Sequence, residues 1–261
     1  MILRLWQHRD LIQELAKREF SAKYKGSVAG SLWALLQPLL TLSVYTLTFG
    51  LILQSRGAQA AGTADYALWL FAGLVVYNAF SEIANKSVLL VVGNPNFVKK
   101  IVFPLEFLPV VSVMVALSNM VIGIFVWIVI FFICNGFVNS SAMYGLLVLL
   151  PLIPLFLGVS WILAALAVFA RDVIQLVAML AQALLFLSPI FYSVDQAPNW
   201  LRGALLVNPL AVPIEQLRIV LLDGNAPDFS ILTTYFLVVL VFSLAAYKFF
   251  SRAKSHFGDM V

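Results

Sequence analysis

Apolar stretches long enough to cross a bilayer recur from one end of the chain to the other, separated by short polar connections. About 20 helical residues cover roughly 30 Å of hydrocarbon. The pattern therefore predicts six spanning helices, over residues 32–53, 66–92, 107–133, 143–170, 173–192 and 230–250. Ahead of the first, "LWQHRDLIQELAKREF" has helical rather than spanning character. Leu5, Leu11, Ile12, Leu15 and Ala16 fall on one arc, and Gln7, Asp10, Gln13, Glu14, Lys17 and Arg18 on the opposite one. Such a helix lies along the membrane interface, as a surface anchor or as a docking face for a cytoplasmic partner.

Two stretches break the regular alternation. In the segment 188–228, Pro189 should end the fifth span, because the residue before proline avoids helix. Two short pieces follow, 198–207 and 213–223, each opened by a proline suited to a first helical turn. At roughly 15 Å each they cover half a bilayer. They read as re-entrant or interfacial helices folded against the outer side of the protein, the alternative being an apolar surface loop. The other stretch is "NPNFVKKIVFP", residues 94–104. Asn94 can cap and Pro95 open a helix of about two turns, roughly 13 Å long, which Pro104 closes. Phe97 and Ile101 share one side of it, beside Lys99 and Lys100.

Composition decides the solvent. Of 261 residues, 62% are hydrophobic and 11% charged, against roughly 45–50% and 25% in a soluble domain. The chain reads as one all-α integral membrane domain, 1–261, with an interface segment at 1–31. Its first 30 residues lack the apolar core and small-residue cleavage site of a signal peptide. Thirteen Lys and Arg fall on the side of the two termini and three (Arg56, Arg202, Arg218) on the other, which places both termini in the cytoplasm. The net charge of +4 follows from this sorting and not from nucleic-acid binding.

Few residues could carry chemistry. The nearest approach to a phosphate-binding loop, "GSVAGS", lacks the lysine and follows no strand, so if ATP drives this protein another chain binds it. There is no GxSxG elbow, HExxH helix or pair of intramembrane aspartates. His8 and His256 lie in the charged tails, and the lone Cys134 reads as packing. No catalytic, cofactor-binding or metal residue is therefore expected. Glu82, in "NAFSEIANKS", is the one carboxylate well inside a span. It is expected to pair with Lys86 at i+4, the alternative being a polar pathway. Arg171 and Asp172 form the whole fourth connection; Asp172 can cap the next helix, or the two can form a joint between moving helices. Among the aromatics, 13% of the chain, Trp33, Tyr45, Phe49, Tyr77, Phe186 and Tyr192 are candidates to line a conduit for sugars.

Four motifs occur in a distinctive order: "YKGSVAGSLWALLQPLL" (with Tyr24, Gly30, Trp33 and Pro38), "NPNFVKKIVFPLEFLP", "ARD" and "NPLAVPIEQLR". Over nearly its full length the chain resembles the membrane subunits of bacterial polysaccharide ABC exporters, of the O-antigen and teichoic-acid type. The resemblance implies a permease in the bacterial inner membrane. It makes the N-terminal helix, with Glu14, Lys17 and Arg18, a cytoplasmic interface helix. Asn94 to Phe103, closed by Pro104, becomes a coupling helix against the ATPase, and the two outer helices become a periplasmic gate. It also implies a homodimer, two separate cytoplasmic ATPase chains that hold ATP and Mg, and a polyprenyl-pyrophosphate-linked glycan as cargo. A permease for a drug or smaller lipid, an ion-gradient-driven transporter or channel, and a scaffold subunit are the alternatives.

Overall fold

The computed structural model describes residues 7–48, 62–95, 104–194, 203, 205 and 207–260. Its helices are α1 (Arg9–Tyr24), α2 (Trp33–Tyr45), α3 (Thr63–Ser87), α4 (Phe107–Asn135), α5 (Gly145–Leu149), α6 (Leu152–Phe169), α7 (Val173–Leu187), α8 (Ala211–Leu221), α9 (Phe229–Ala253) and α10 (Phe257–Met260). No strand occurs among the described residues.

Five described segments are long and apolar enough to cross a membrane: Gly30–Thr48, Ala64–Ser87, Phe107–Asn135, Ser140–Phe169 and Phe229–His256. The fifth expected span, 173–192, is helical over less than its apolar run. α7 stops at Leu187 because Ser188 takes an extended backbone (φ −88°, ψ 151°) ahead of Pro189. Its 15 residues reach roughly 22 Å, less than the hydrocarbon thickness. The fourth expected span is jointed, a 3₁₀ turn and α5 leading into α6 at Pro151.

α3 occupies the centre and packs against α4, α6, α7 and α8. Leu68, Leu70, Phe71, Leu74, Val76 and Ile83 face inward from all sides of it, as in a helix enclosed by others. The broadest pairing is between α6 and α9. It is permitted by Gly158, where a Cβ would lie 2.6 Å from the Phe242 ring and 3.1 Å from the Ser243 Cα. Small residues allow this close approach of helices where lipid gives no hydrophobic drive to pair. A buried bond from the Ser87 hydroxyl to that of Ser160, 2.7 Å, ties α3 to α6.

α1 rests on α4. Ile12 and Ala16 are buried against Phe107, Val111 and Val115. Gln7, Asp10, Gln13, Glu14, Lys17 and Arg18 are exposed. The expected amphipathic face is therefore used on the protein itself, with Leu11 left outside.

Candidate functional site

α3 exposes one polar stripe. Asn78 and Asn85 are exposed and Ser81, Glu82 and Lys86 half-buried, while Ala79, Phe80, Ile83 and Ala84 between them are buried. The spacing i, i+3, i+4, i+7, i+8 puts the stripe on one helical face. It opens on a cavity of about 570 Å³ between α2, α3 and α4, closed at one end by Lys23 and Tyr24.

Glu82 is held in that cavity by partners from two other helices. Asn119 of α4 donates its amide to both carboxylate oxygens, at 3.0 and 2.8 Å, and the Lys23 ammonium lies 3.0 Å away. Tyr24 donates to the side-chain Oδ1 of Asn119 at 3.5 Å. Burial, reinforced by the Glu82 carboxylate, raises the pKa of this phenol. The expected Glu82–Lys86 pair does not form: Lys86 pairs with Glu19 of α1. α1 lies against this end of α3 and supplies a better-placed partner to each charge than the neighbour one turn away. Reading Asn78, Ser81, Glu82 and Asn85 as a set, at helical spacing, would have revealed the stripe from sequence.

The opposite end of the bundle carries aromatics and one buried cation. Phe191 packs against Tyr45 and stacks with Phe186, both at 5.7 Å. The Tyr192 hydroxyl donates to the Phe186 carbonyl at 3.3 Å, and Tyr66 donates to that of Phe191 at 3.3 Å. Three conduit candidates, Tyr45, Phe186 and Tyr192, thus come together. Tyr77 does not join them; it is buried and donates to the Ala181 carbonyl at 2.9 Å, tying α3 to α7. Trp33 is exposed at the start of α2, and Phe49 lies outside the described residues.

Arg218, counted in the sequence among outer-side charges, is 5% exposed. Its guanidinium sits 3.4 Å from the centre of the Trp69 ring. It donates to the carbonyls of Trp69 (3.2 Å), Pro189 (2.6 Å) and Ile190 (2.9 Å). α8 is thereby locked to α3 and to the break after α7. With Ile214, Leu217 and Val220 fully buried, α8 is no surface loop. It begins at Ala211, two residues before Pro213. Of the other short piece, 198–207, the structure describes only residues 203, 205 and 207.

The middle of the "NPNFVKKIVFP" segment, including Phe97, Lys99, Lys100 and Ile101, lies outside the described residues. Its flanks are described. Pro95 is helical, and the Asn94 amide donates back to the Leu90 carbonyl at 3.0 Å. Pro104 accepts from Phe107 N at 2.9 Å in the turn that opens α4. Next to it, Lys254 donates to both oxygens of Glu106, at 2.9 and 3.0 Å. Leu90, Val91 and Leu105 share a core with Trp161, Phe250 and Phe257, so the C-terminal turn packs beside both flanks. Arg171 and Asp172 are exposed. Asp172 holds the position before α7 but makes no capping bond, its own backbone being already helical (φ −63°, ψ −22°). Capping of that kind occurs instead at Asp228, which accepts from Ser230 N (2.9 Å) and Ile231 N (3.1 Å) and starts α9.

Long apolar helices around a buried central one, with a polar cleft between three of them, define a multi-span helical membrane domain. The sequence profile of ABC-2 type transporters matches residues 10–222, and the chain belongs to that family, whose members are transmembrane subunits and not catalytic ones. Among its relatives, the O-antigen export system permease protein RfbA of Klebsiella pneumoniae is 24% identical over 253 residues, 97% of this chain and 95% of the relative. The protein of the same name from Myxococcus xanthus is 24% identical over 263 residues, covering 100% and 99%. The polysialic acid transport protein KpsM of Escherichia coli is 23% identical over 241 residues, covering 91% and 92%.

Proposed function

We propose that this chain is the permease subunit of an ATP-driven exporter that moves a lipid-linked polysaccharide across the bacterial inner membrane, with both termini in the cytoplasm. The observation that carries the reading is end-to-end similarity to three permeases named for O-antigen or polysialic acid transport. The missing phosphate-binding loop fits a division of labour in which a separate ATPase holds ATP and Mg. Two copies of this chain would pair with two ATPase chains. α2, with 6% of its span buried, supports an assembly in which something else covers it. α7 also presents exposed Gln175 and Gln182, seven residues apart on one face, as a conduit wall would. The fixed contacts of Glu82 with Lys23 and Asn119 favour this reading over a proton relay, which needs a carboxylate free to change partners.

In the proposed mechanism, ATP binding moves the segment 94–104. Phe97 and Ile101 seat in a groove of the ATPase, and Lys99 and Lys100 meet acidic groups or lipid phosphates. Glu14, Lys17 and Arg18, on the open face of α1, add to the same surface. Glu106 and Lys254 pass the displacement to α9, and the Arg171–Asp172 turn serves as the joint between α6 and α7. Deletion of the gene should abolish the surface glycan, and affinity purification of the chain should recover an ABC ATPase. Replacing Phe97, Lys99, Lys100 and Ile101 together by Ala should lower both ATPase recovery and export. Unchanged recovery and export would discard the coupling assignment, and an intact surface glycan in the deletion strain would discard the export reading.

A further inference from the structure

α4 is longer than a bilayer is thick. Its 29 residues rise roughly 43 Å, against about 30 Å of hydrocarbon, so about nine of them stand outside the apolar layer. α1, whose open face is charged, cannot lie within the hydrocarbon. It covers the first turns of α4, where Ile12 and Ala16 meet Phe107, Val111 and Val115, and these are therefore the turns that protrude. The boundary between lipid headgroups and acyl chains then falls near Val115 to Ser118. A second cavity, of about 300 Å³, opens at that level between α1 and α4. On the α1 side it is bordered by Gln13, Lys17 and Ser21, all exposed and spaced four residues apart, hence in one row. Phe20 and Met114, half-buried, form its apolar wall, and the exposed Ser118 borders it from α4. Among the described residues Lys17 has no ion pair, unlike Lys23 and Lys86, and Gln13 and Ser21 make no side-chain hydrogen bond. No acidic residue lines the cavity. A cation, an amide and a hydroxyl in one row, with no carboxylate beside them, match the acceptor oxygens of a phosphodiester. Beyond Ser118, Val121, Phe125 and Val129 are exposed on the same side of α4, an apolar strip leading away from the charge.

We infer that the groove between α1 and α4 is a binding site for an anionic phospholipid of the surrounding membrane, its phosphodiester held by Lys17, Gln13 and Ser21 and one acyl chain laid along Val121, Phe125 and Val129. The cavity is at the small end of ligand-sized pockets, which suits a headgroup and leaves the chains outside. A zwitterionic head brings its own cation beside Lys17 and forfeits part of the attraction. The bound lipid fastens α1, already tied to α3 through Glu19 and Lys23, to α4 at the bilayer surface. Lys17 is then shared between the lipid and the surface proposed for the ATPase, whereas Glu14 and Arg18 do not border the cavity. The groove has no lining residue in common with the cleft beside α3, and its ligand does not depend on what the protein transports.

The test uses the purified full-length chain in phosphatidylcholine nanodiscs doped with a trace of photoactivatable lipid, which carries a diazirine in one acyl chain and either a phosphatidylglycerol or a phosphatidylcholine head. The phosphatidylglycerol probe should label residues 118–129, mapped by peptide mass spectrometry, about fivefold more than the phosphatidylcholine probe, the attraction of one lysine for an anionic head. Lys17→Gln should remove that preference and Lys17→Arg should keep it. Lys25→Gln, which removes an exposed cation just past α1 and outside the cavity, should leave it intact. Lys17 and Lys25 are both exposed, so all three variants should unfold at the wild-type temperature. Equal labelling by the two heads would overturn the site. So would a preference lowered as much by Lys25→Gln as by Lys17→Gln, which would reduce it to diffuse charge attraction. Displacement of the label by an equimolar isoprenoid pyrophosphate would give the groove to a cargo-type lipid and overturn the assignment as well. The export reading fails separately, through an intact surface glycan in the deletion strain, whatever the probes show.

Discussion

α3 and α4 are both long membrane helices, and the less apolar of the two is the more buried. α4 has no charged residue along Phe107–Asn135, yet only 28% of its span is enclosed; α3 carries Asp65, Glu82 and Lys86, and 78% of its span is enclosed. In water the order would be reversed. In lipid the outer surface is the one that must be apolar, so polar side chains gather where protein or a cavity receives them. The contrast explains why Glu82 is tolerated at all. It also singles out α2, the least apolar of the five candidate spans and the least enclosed, at 6%. A helix of that composition facing lipid alone runs against the pattern of the rest of the molecule.

The most severe way to break the contrast is to release α3 from α8. Arg218→Met leaves three carbonyls, of Trp69, Pro189 and Ile190, without their donor in a buried site. The expected loss is about 3–5 kcal/mol. It would be read as a collapse of the thermal unfolding temperature in detergent and as protease access to the 188–228 region. Arg218→Lys should recover only part, because an ammonium cannot match a planar fork that bonds three carbonyls and stacks on a ring.

A smaller effect is expected where two greasy helices meet. Gly158→Val places side-chain atoms against Phe242 and the Ser243 backbone, which should cost about 1–3 kcal/mol by overpacking. The α6–α9 pair should loosen while the α3 cleft keeps its shape. Thermal unfolding measures the first, and a thermal unfolding loss no larger with Asn78→Ala added than the sum of the two single losses measures the second.

What the sequence reveals of this molecule follows from the range of the forces involved. α4 begins at Phe107 and α9 within one residue of its expected start, because proline, capping and hydropathy act locally. The site was less legible. Glu82 finds Lys23, 59 residues away, where a helical wheel offers only Lys86. Arg218 enters a charge count that treats it as a loop residue, although its side chain turns inward to carbonyls that no motif announces. Asp172 and Asp228 precede helices alike; only the extended backbone at Asp228 (ψ 101°) lets its carboxylate reach the free amides. The polar stripe of α3 was periodic and visible, but a stripe acquires meaning only when a cavity is seen in front of it.

The finest distinction concerns α7, which packs through Val177 and Ala181 and leaves most other side chains open. Were Gln175 and Gln182 turned to lipid, leucine at both positions would remove a polar cost, stabilise the protein and leave transport unaltered. Facing a hydrated conduit, the same change removes groups that sugars and water contact, while the fold, which these exposed amides do not support, shifts by no more than about 0.5 kcal/mol. The double variant Gln175→Leu, Gln182→Leu should therefore unfold at the wild-type temperature and export several-fold less glycan. A control pair on the open face of α4, Phe125→Leu with Val129→Leu, should change neither quantity. If the glutamine variant instead gained stability and exported normally, α7 would belong with α4 on the lipid side, and the open wall would have to be sought on α2 alone.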